Sequence, residues 1–134
     1  PPPLTTTTTY TVTFTETGSG CTDDDDVTIT VNPTPTVILS AAPNPACIGD
    51  DIILTAIPSS PVTQYRFQYN DGSVWNNLTT PSWDINNPVI YNNITQSTQF
   101  RVKVREANGC TPSIWSPIIT VPIVTFNSSS IWHN

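Results

Sequence analysis

The densest chemistry in the chain is a run of four carboxylates, Asp23-Asp24-Asp25-Asp26, with Glu16 on the other arm of what the surrounding pattern makes a hairpin. Hard carboxylate oxygens are the ligands Ca2+ takes, so these five residues are the candidate metal site. The spacing favours a solvated acidic turn instead: adjacent residues on a strand point to opposite faces, and no Gly-containing ligand loop accompanies the run. Asp50-Asp51 after Gly49 read the same way, as charges that discourage promiscuous pairing of a strand edge. The sole His is His133, so neither a Ser/His/Asp arrangement nor a His-based metal site can be built. No pattern sets two acids in one cleft. The expectation is therefore a non-enzyme, with no catalytic residue and no cofactor beyond a weak Ca2+ candidate.

Arg66, Arg101, Lys103 and Arg105 are the four basic residues against ten acidic ones, a formal net charge of -6. So few cations cannot neutralise a nucleic-acid backbone, and nucleic acid is excluded as a partner. Alternation places Arg101, Lys103 and Arg105 on one outward strand face, with Arg66 on a second strand. Cross-strand pairing and stacking of an Arg on Trp115 is the favoured reading of that stripe; docking of an acidic neighbour or an anionic glycan is the functional alternative. Trp75, Trp83 and Tyr91 are candidates for a flat platform under sugar rings. Because they and Trp115, Tyr65 and Tyr69 sit within alternating runs, core and interface packing is favoured for them. Asn77-Leu-Thr79, Asn93-Ile-Thr95 and Asn127-Ser-Ser129 fit the Asn-glycosylation pattern.

Three Cys in a Thr-rich chain without Met suggest an oxidising compartment. Cys47 and Cys110 are the natural disulfide candidates, and strand parity decides whether they meet. With three strands between the strand after Cys47 and the strand before Cys110, the two lie at opposite ends of a sandwich, and bonds must link neighbouring modules. With four, from separate strands at Val74 to Leu78, Ser82 to Ile85 and Pro88 to Tyr91, the pair closes within one domain. Cys21 is left over, its partner lying outside this chain.

The elements that must carry these residues are strands. Apolar residues recur two apart in Tyr10 to Thr15, Val27 to Val31, Phe100 to Arg105 and, less cleanly, Asp51 to Ala56 and Tyr65 to Tyr69. Turn clusters such as Pro43-Asn44-Pro45, Pro58 to Pro61 and Asn70 to Ser73 separate them, and 14 Pro leave no room for a sustained helical period. A charged fraction of 10%, well below the ordinary quarter, rules against an intracellular helix bundle. No apolar run reaches the ~18 residues of a membrane span. The expected fold is an all-β sandwich of short strands.

The chain also repeats itself. Tyr10 to Glu16, followed by Gly20-Cys21-Thr22, parallels Phe100 to Glu106, followed by Gly109-Cys110-Thr111, and Val27 to Val31 parallels Pro117 to Val121. The copies lie about 90 residues apart, a spacing that signals tandem modules. Residues 1–33 then read as the last two strands of a preceding repeat, 34–122 as a complete repeat, and 123–134 as the start of the next or an exchanged tail. Tyr10, Val12, Phe14 and Trp132 are the expected interface residues, because an isolated two-stranded ribbon cannot bury its apolar face.

Cys47 to Ala56, the Tyr-rich strand, Thr98 to Arg105 and Ala107 to Thr111 together resemble the tandem Ig-like repeats of Bacteroidota surface proteins, gliding-motility-associated adhesins among them. The segment from Pro88 through Phe100 to Pro117 is also similar to the late strands of fibronectin type III domains. The resemblance implies an Ig-like or fibronectin III-like sandwich, an intradomain Cys47–Cys110 bridge, and an extracellular or cell-surface location. It implies a non-catalytic repeat of a fibre or adhesin, assembled by β-strand pairing with neighbouring repeats or identical subunits, the host or environmental surfaces and glycans being further partners. A carbohydrate-binding accessory module of a secreted enzyme is the alternative.

Overall fold

The structure, a computed structural model, describes residues 3–106 and 112–126. Cys110, Trp132, His133 and the Asn127 acceptor therefore lie outside the described residues. The chain separates into two compact units, 1–33 and 34–134, and no helix occurs among the described residues.

The first unit is a hairpin of β1 (Thr8–Thr15) and β2 (Thr22–Ile29), paired antiparallel from Thr8↔Ile29 to Thr15↔Thr22. The turn is closed by Glu16 N–H donating to Cys21 O at 2.8 Å, and Gly18 and Gly20 supply its positive φ values. The acidic run is not a turn, as its charge suggested, but lies wholly inside β2. Thr11 and Thr13 stand opposite Asp26 and Asp24, Thr11 Oγ1 donates to Asp26 Oδ1 at 2.6 Å, and both faces are open to water, so the carboxylates keep their hydration. One face carries Tyr10, Val12, Phe14, Val27 and Ile29 together with Asp23 and Asp25; the other carries Thr9, Thr11, Thr13, Asp24, Asp26 and Thr28.

The second unit holds β3 (Val37–Ala42), β4 (Ile52–Pro58), β5 (Gln64–Asn70), β6 (Asn76–Asn77), β7 (Val89–Tyr91), β8 (Thr98–Arg105) and β9 (Ile119–Val121). Two antiparallel sheets, β3-β4-β7 and β6-β5-β8-β9, enclose one core, an arrangement compatible with a β-sandwich. Alternation does the sorting: Phe100, Val102 and Val104 of β8 are fully buried while Arg101, Lys103 and Arg105 stay outside. Val37, Leu39, Ile52, Leu54, Ala56 and Val89 come from the facing sheet, and Ile94 and Ala46 close the end.

Of the three segments that would have made four intervening strands, only two pair as strands. Val74 to Leu78 shrinks to β6, and Asp84 makes only an isolated bridge to Tyr65, so both belong to one irregular edge alongside β5. Pro81 and the amide-rich 76–87 stretch cannot sustain a second ladder. Three strands, β5, β6 and β7, thus separate β4 from β8.

The registers define two ends. Val37, Pro58, Gln64 and Arg105 lie at one; Ala42, Ile52, Tyr91, Asn70, Thr98 and Val121 lie at the other. The chain enters β3 at the first end and leaves β9 at the second, where Ala46 forms a parallel bridge to Ile123 with Ala46 N–H donating to Pro122 O at 3.0 Å and Val124 N–H to Ala46 O at 2.8 Å. Entry and exit are separated by the length of a strand, about 20–25 Å.

Candidate functional site

The outer face of the four-stranded sheet gathers the chain's cations and three of its indoles. Register sets Gln64 beside Arg105, Arg66 beside Lys103 and Gln68 beside Arg101. Trp75 reaches in from the segment before β6, Trp83 from the edge segment, and Trp115 from the stretch that follows β8.

That last stretch is positioned by its serines. Ser113 and Ser116 N–H groups donate to Val104 O and Val102 O, both at 2.9 Å, while their hydroxyls accept from Val104 N–H at 2.9 Å and Val102 N–H at 3.0 Å. The segment thereby satisfies β8 without forming a regular strand. Both serines are buried and Trp115 lies between them, so its ring is laid over the outer face of β8.

The Arg101 guanidinium sits between Trp75 and Trp115, with its carbon 4.1 Å from each ring centroid. Lys103 Nζ lies 4.8 Å and the Arg66 guanidinium 5.8 Å from the Trp115 centroid, and Arg105 covers Trp83 at 4.2 Å. The favoured reading of the stripe, cross-strand contact plus Arg stacking, is what the side chains adopt, and it extends to all four cations. Neutral amides complete the array: Arg101 Nε and Nη2 donate to Gln68 Oε1 at 3.0 and 2.8 Å, Arg105 Nε to Gln64 Oε1 at 2.7 Å, and Arg66 Nε to Asn77 Oδ1 at 3.1 Å. Asn77 Oδ1 also accepts from Gln68 Nε2 at 2.9 Å. Burial and the neighbouring Arg66 push the Arg101 pKa below its ordinary value. No carboxylate forms an ion pair with any of the four cations among the described residues.

The other candidate residues are dispersed. Asp23 and Asp25 project from one face of β2 and Asp24 and Asp26 from the other, Glu16 accepts from Ser19, and among the described residues no three His, Cys, Asp or Glu side chains could hold a metal ion. Asp50 and Asp51 cap a turn: Asp50 Oδ2 accepts from Cys47 N–H and Asp51 Oδ1 from Asn93 N–H, both at 2.9 Å. Tyr10, Val12 and Phe14 stand exposed on one hairpin face, Phe14 at 65%. Tyr91 belongs to the core edge, with ring centroids 5.0 Å from Tyr69 and 5.2 Å from Phe100. Trp75 and Trp83 are half-buried under guanidinium groups. Cys21 and Cys47 are free thiols; Cys47 lies at the exit end, and Glu106 and Pro112, which flank Cys110, adjoin the entry end. The described strands thus follow the three-strand parity, and Cys110 itself lies outside the described residues.

Two features escaped the sequence reading. Ser113 and Ser116, three apart and bracketing Trp115 between Pro112 and Pro117, are the legible signal for the indole's placement. Ile38, Ile53, Ile57 and Ile90 form an exposed, uncharged outer face on the three-stranded sheet, visible in retrospect as the odd members of their alternating runs. A polar cleft of about 300 Å³ lined by Asn70, Gly72, Ser97, Gln99 and Thr120 contains no titratable side chain.

Neither a protein-family model nor a curated protein matches the chain.

Proposed function

We propose that the chain is a non-catalytic structural module of an extracellular fibre or adhesin. Residues 34–122 form an Ig-like or fibronectin III-like repeat, 1–33 are the last two strands of the repeat before it, and 123–134 lead into the next or exchange with it. Neighbours join through β-strand pairing, so that modules share stability along the array. The observation that carries this reading is the course of the chain through the second unit, in at one end and out at the other, which lets successive modules follow head to tail.

The hairpin supports it too. Its apolar face is open, and two strands alone are marginal in water, so it needs further strands to complete a sheet. The cysteines fit the same plan: with Cys47 at the exit end and the flanks of Cys110 at the entry end, bonds between successive modules suit the geometry better than a bond within one. The sugar-platform reading is less well supported, because the Trp75 and Trp83 rings are stacked by Arg101 and Arg105 and Tyr91 packs inside.

Electron microscopy and intact mass of native material, with and without reductant, test the proposal. Long fibres, or one chain carrying many such modules, are expected, and deleting 1–33 should abolish polymerisation while 34–126 stays folded. A globular monomer that neither polymerises nor belongs to a longer array would overturn it.

A further inference from the structure

We propose that the cationic indole face of the second unit is the docking surface for the acidic β1–β2 hairpin of a second copy of this chain. The inference rests on the reading that identical chains assemble, and in it the hairpin's apolar face is covered by a second copy in place of the rest of a preceding repeat.

Charge segregation is the first argument. Every Lys and Arg of the chain lies on one outer sheet face, held by Gln64, Gln68, Asn77 and three indoles, and none forms an ion pair among the described residues. Neutral amides and ring faces orient these cations without neutralising them. The hairpin is the complement: Glu16 and Asp23 to Asp26 are half of the chain's ten acidic residues, and residues 1–33 contain no base.

Spacing is the second argument. Asp23 and Asp25 share the apolar hairpin face with Val12 and Phe14, their cross-strand partners. Side chains two apart on a strand repeat at about 6.8 Å, so this carboxylate pair matches the repeat of Arg101 and Lys103, or of Lys103 and Arg105, on β8. Laid face to face, the carboxylates meet cations while Val12 and Phe14 cover the exposed parts of Trp75 and Trp115. The contact removes apolar surface from water and strengthens the ion pairs by partial desolvation, which isolated surface pairs lack. Charge steering also makes the encounter fast and sensitive to salt.

The test is sedimentation of the full chain over a range of concentrations, at about 0.02 and 0.5 M NaCl. Wild type should associate more tightly at low salt. Asp23→Lys/Asp25→Lys, which alters only an exposed hairpin face, should weaken association about tenfold or more, as should Lys103→Glu/Arg105→Glu; the fourfold variant should associate again. Circular dichroism establishes that each variant is folded. Charge variants that assemble like wild type overturn this inference and leave strand pairing standing; a wild type that never associates also overturns it, and the assembly reading then stands only if the native material is a longer array of such modules. A sulfated polysaccharide bound equally by wild type and the Asp23/Asp25 variant, with no charge-dependent self-association, would assign the face to an anionic glycan and overturn the proposal.

Discussion

Ser113 and Ser116 show how much of this structure turns on two hydroxyls. Each accepts a backbone N–H of β8 from a buried position, so Ser113→Ala or Ser116→Ala leaves a buried donor without its partner. Each substitution should cost about 1–3 kcal/mol in denaturant unfolding. It should also loosen Trp115 and shift the tryptophan emission. Tyr91 adds a pH dependence. Burial raises its phenol pKa above 10.0, with the nearby Asp71 and Tyr69 adding to the rise and a hydrogen bond with Thr98 opposing it. The folded state therefore favours the neutral phenol. That stabilisation is fully present below the unfolded pKa and is lost as pH rises through the folded one. Unfolding midpoints should fall as pH rises past 10.0, and Tyr91→Phe should reduce the fall; an unchanged slope in Tyr91→Phe would assign the effect to other tyrosines. Arg stacking on Trp115 was legible because an Arg-Val-Lys-Val-Arg strand must show its cations on one side. The serines were not, because a side chain that replaces a ladder partner leaves no periodic trace.

At the scale of elements, the alternating runs located β1, β4, β5, β8 and the second half of β2, whereas β3, a core strand, was marked by no run. Phe100 to Arg105 and Val27 to Val31 read cleanly because one side of each run is apolar, and β4 and β5 were found despite their blurred edges. What alternation could not tell is where pairing ends. The Asp run entered β2 because both faces of the hairpin are wet, with Asp24 and Asp26 opposite Thr13 and Thr11 and Asp23 and Asp25 opposite the exposed Phe14 and Val12, and the 74–85 stretch failed to make two strands because its amides bond locally: Asp84 Oδ1 takes Ile85 N–H, and Asn76 Nδ2 bonds Val74 O. The turn ahead of β4 offers a check. Gly49 has φ +94, and an added Cβ would lie 3.8 Å from Asn93 Oδ1, with room to spare. Gly49→Ala should therefore cost about 1–2 kcal/mol from backbone conformation alone, measured by equilibrium unfolding, whereas a substitution at the open Ser73 should cost little.

Across the whole molecule, like charges are grouped by sign: carboxylates without bases on the hairpin, and cations without ion pairs among the described residues on one face of the larger unit. Grouping of this kind destabilises each unit through self-repulsion, and added salt relieves it. Thermal midpoints of the dilute chain should therefore rise modestly between about 0.02 and 0.5 M NaCl, where a fold relying on salt bridges would decline. The overall class was legible from composition, since scarce charge and abundant Thr and Pro permit little else. The cationic indole face was only half legible, because its positive side follows largely from one strand while its indoles come from the 74–85 edge and the stretch after β8. The parallel bridge between Ala46 and Ile123 has a mechanical consequence. Tension on the second unit, applied where the chain enters β3 and leaves β9, loads the bonds from Ala46 to Pro122 and Val124 in shear, so they must yield together. The hairpin, pulled at Thr8 and Ile29, which are paired neighbours, instead unzips one rung at a time. Stretched end to end, the chain is a stiff link in series with a soft spring.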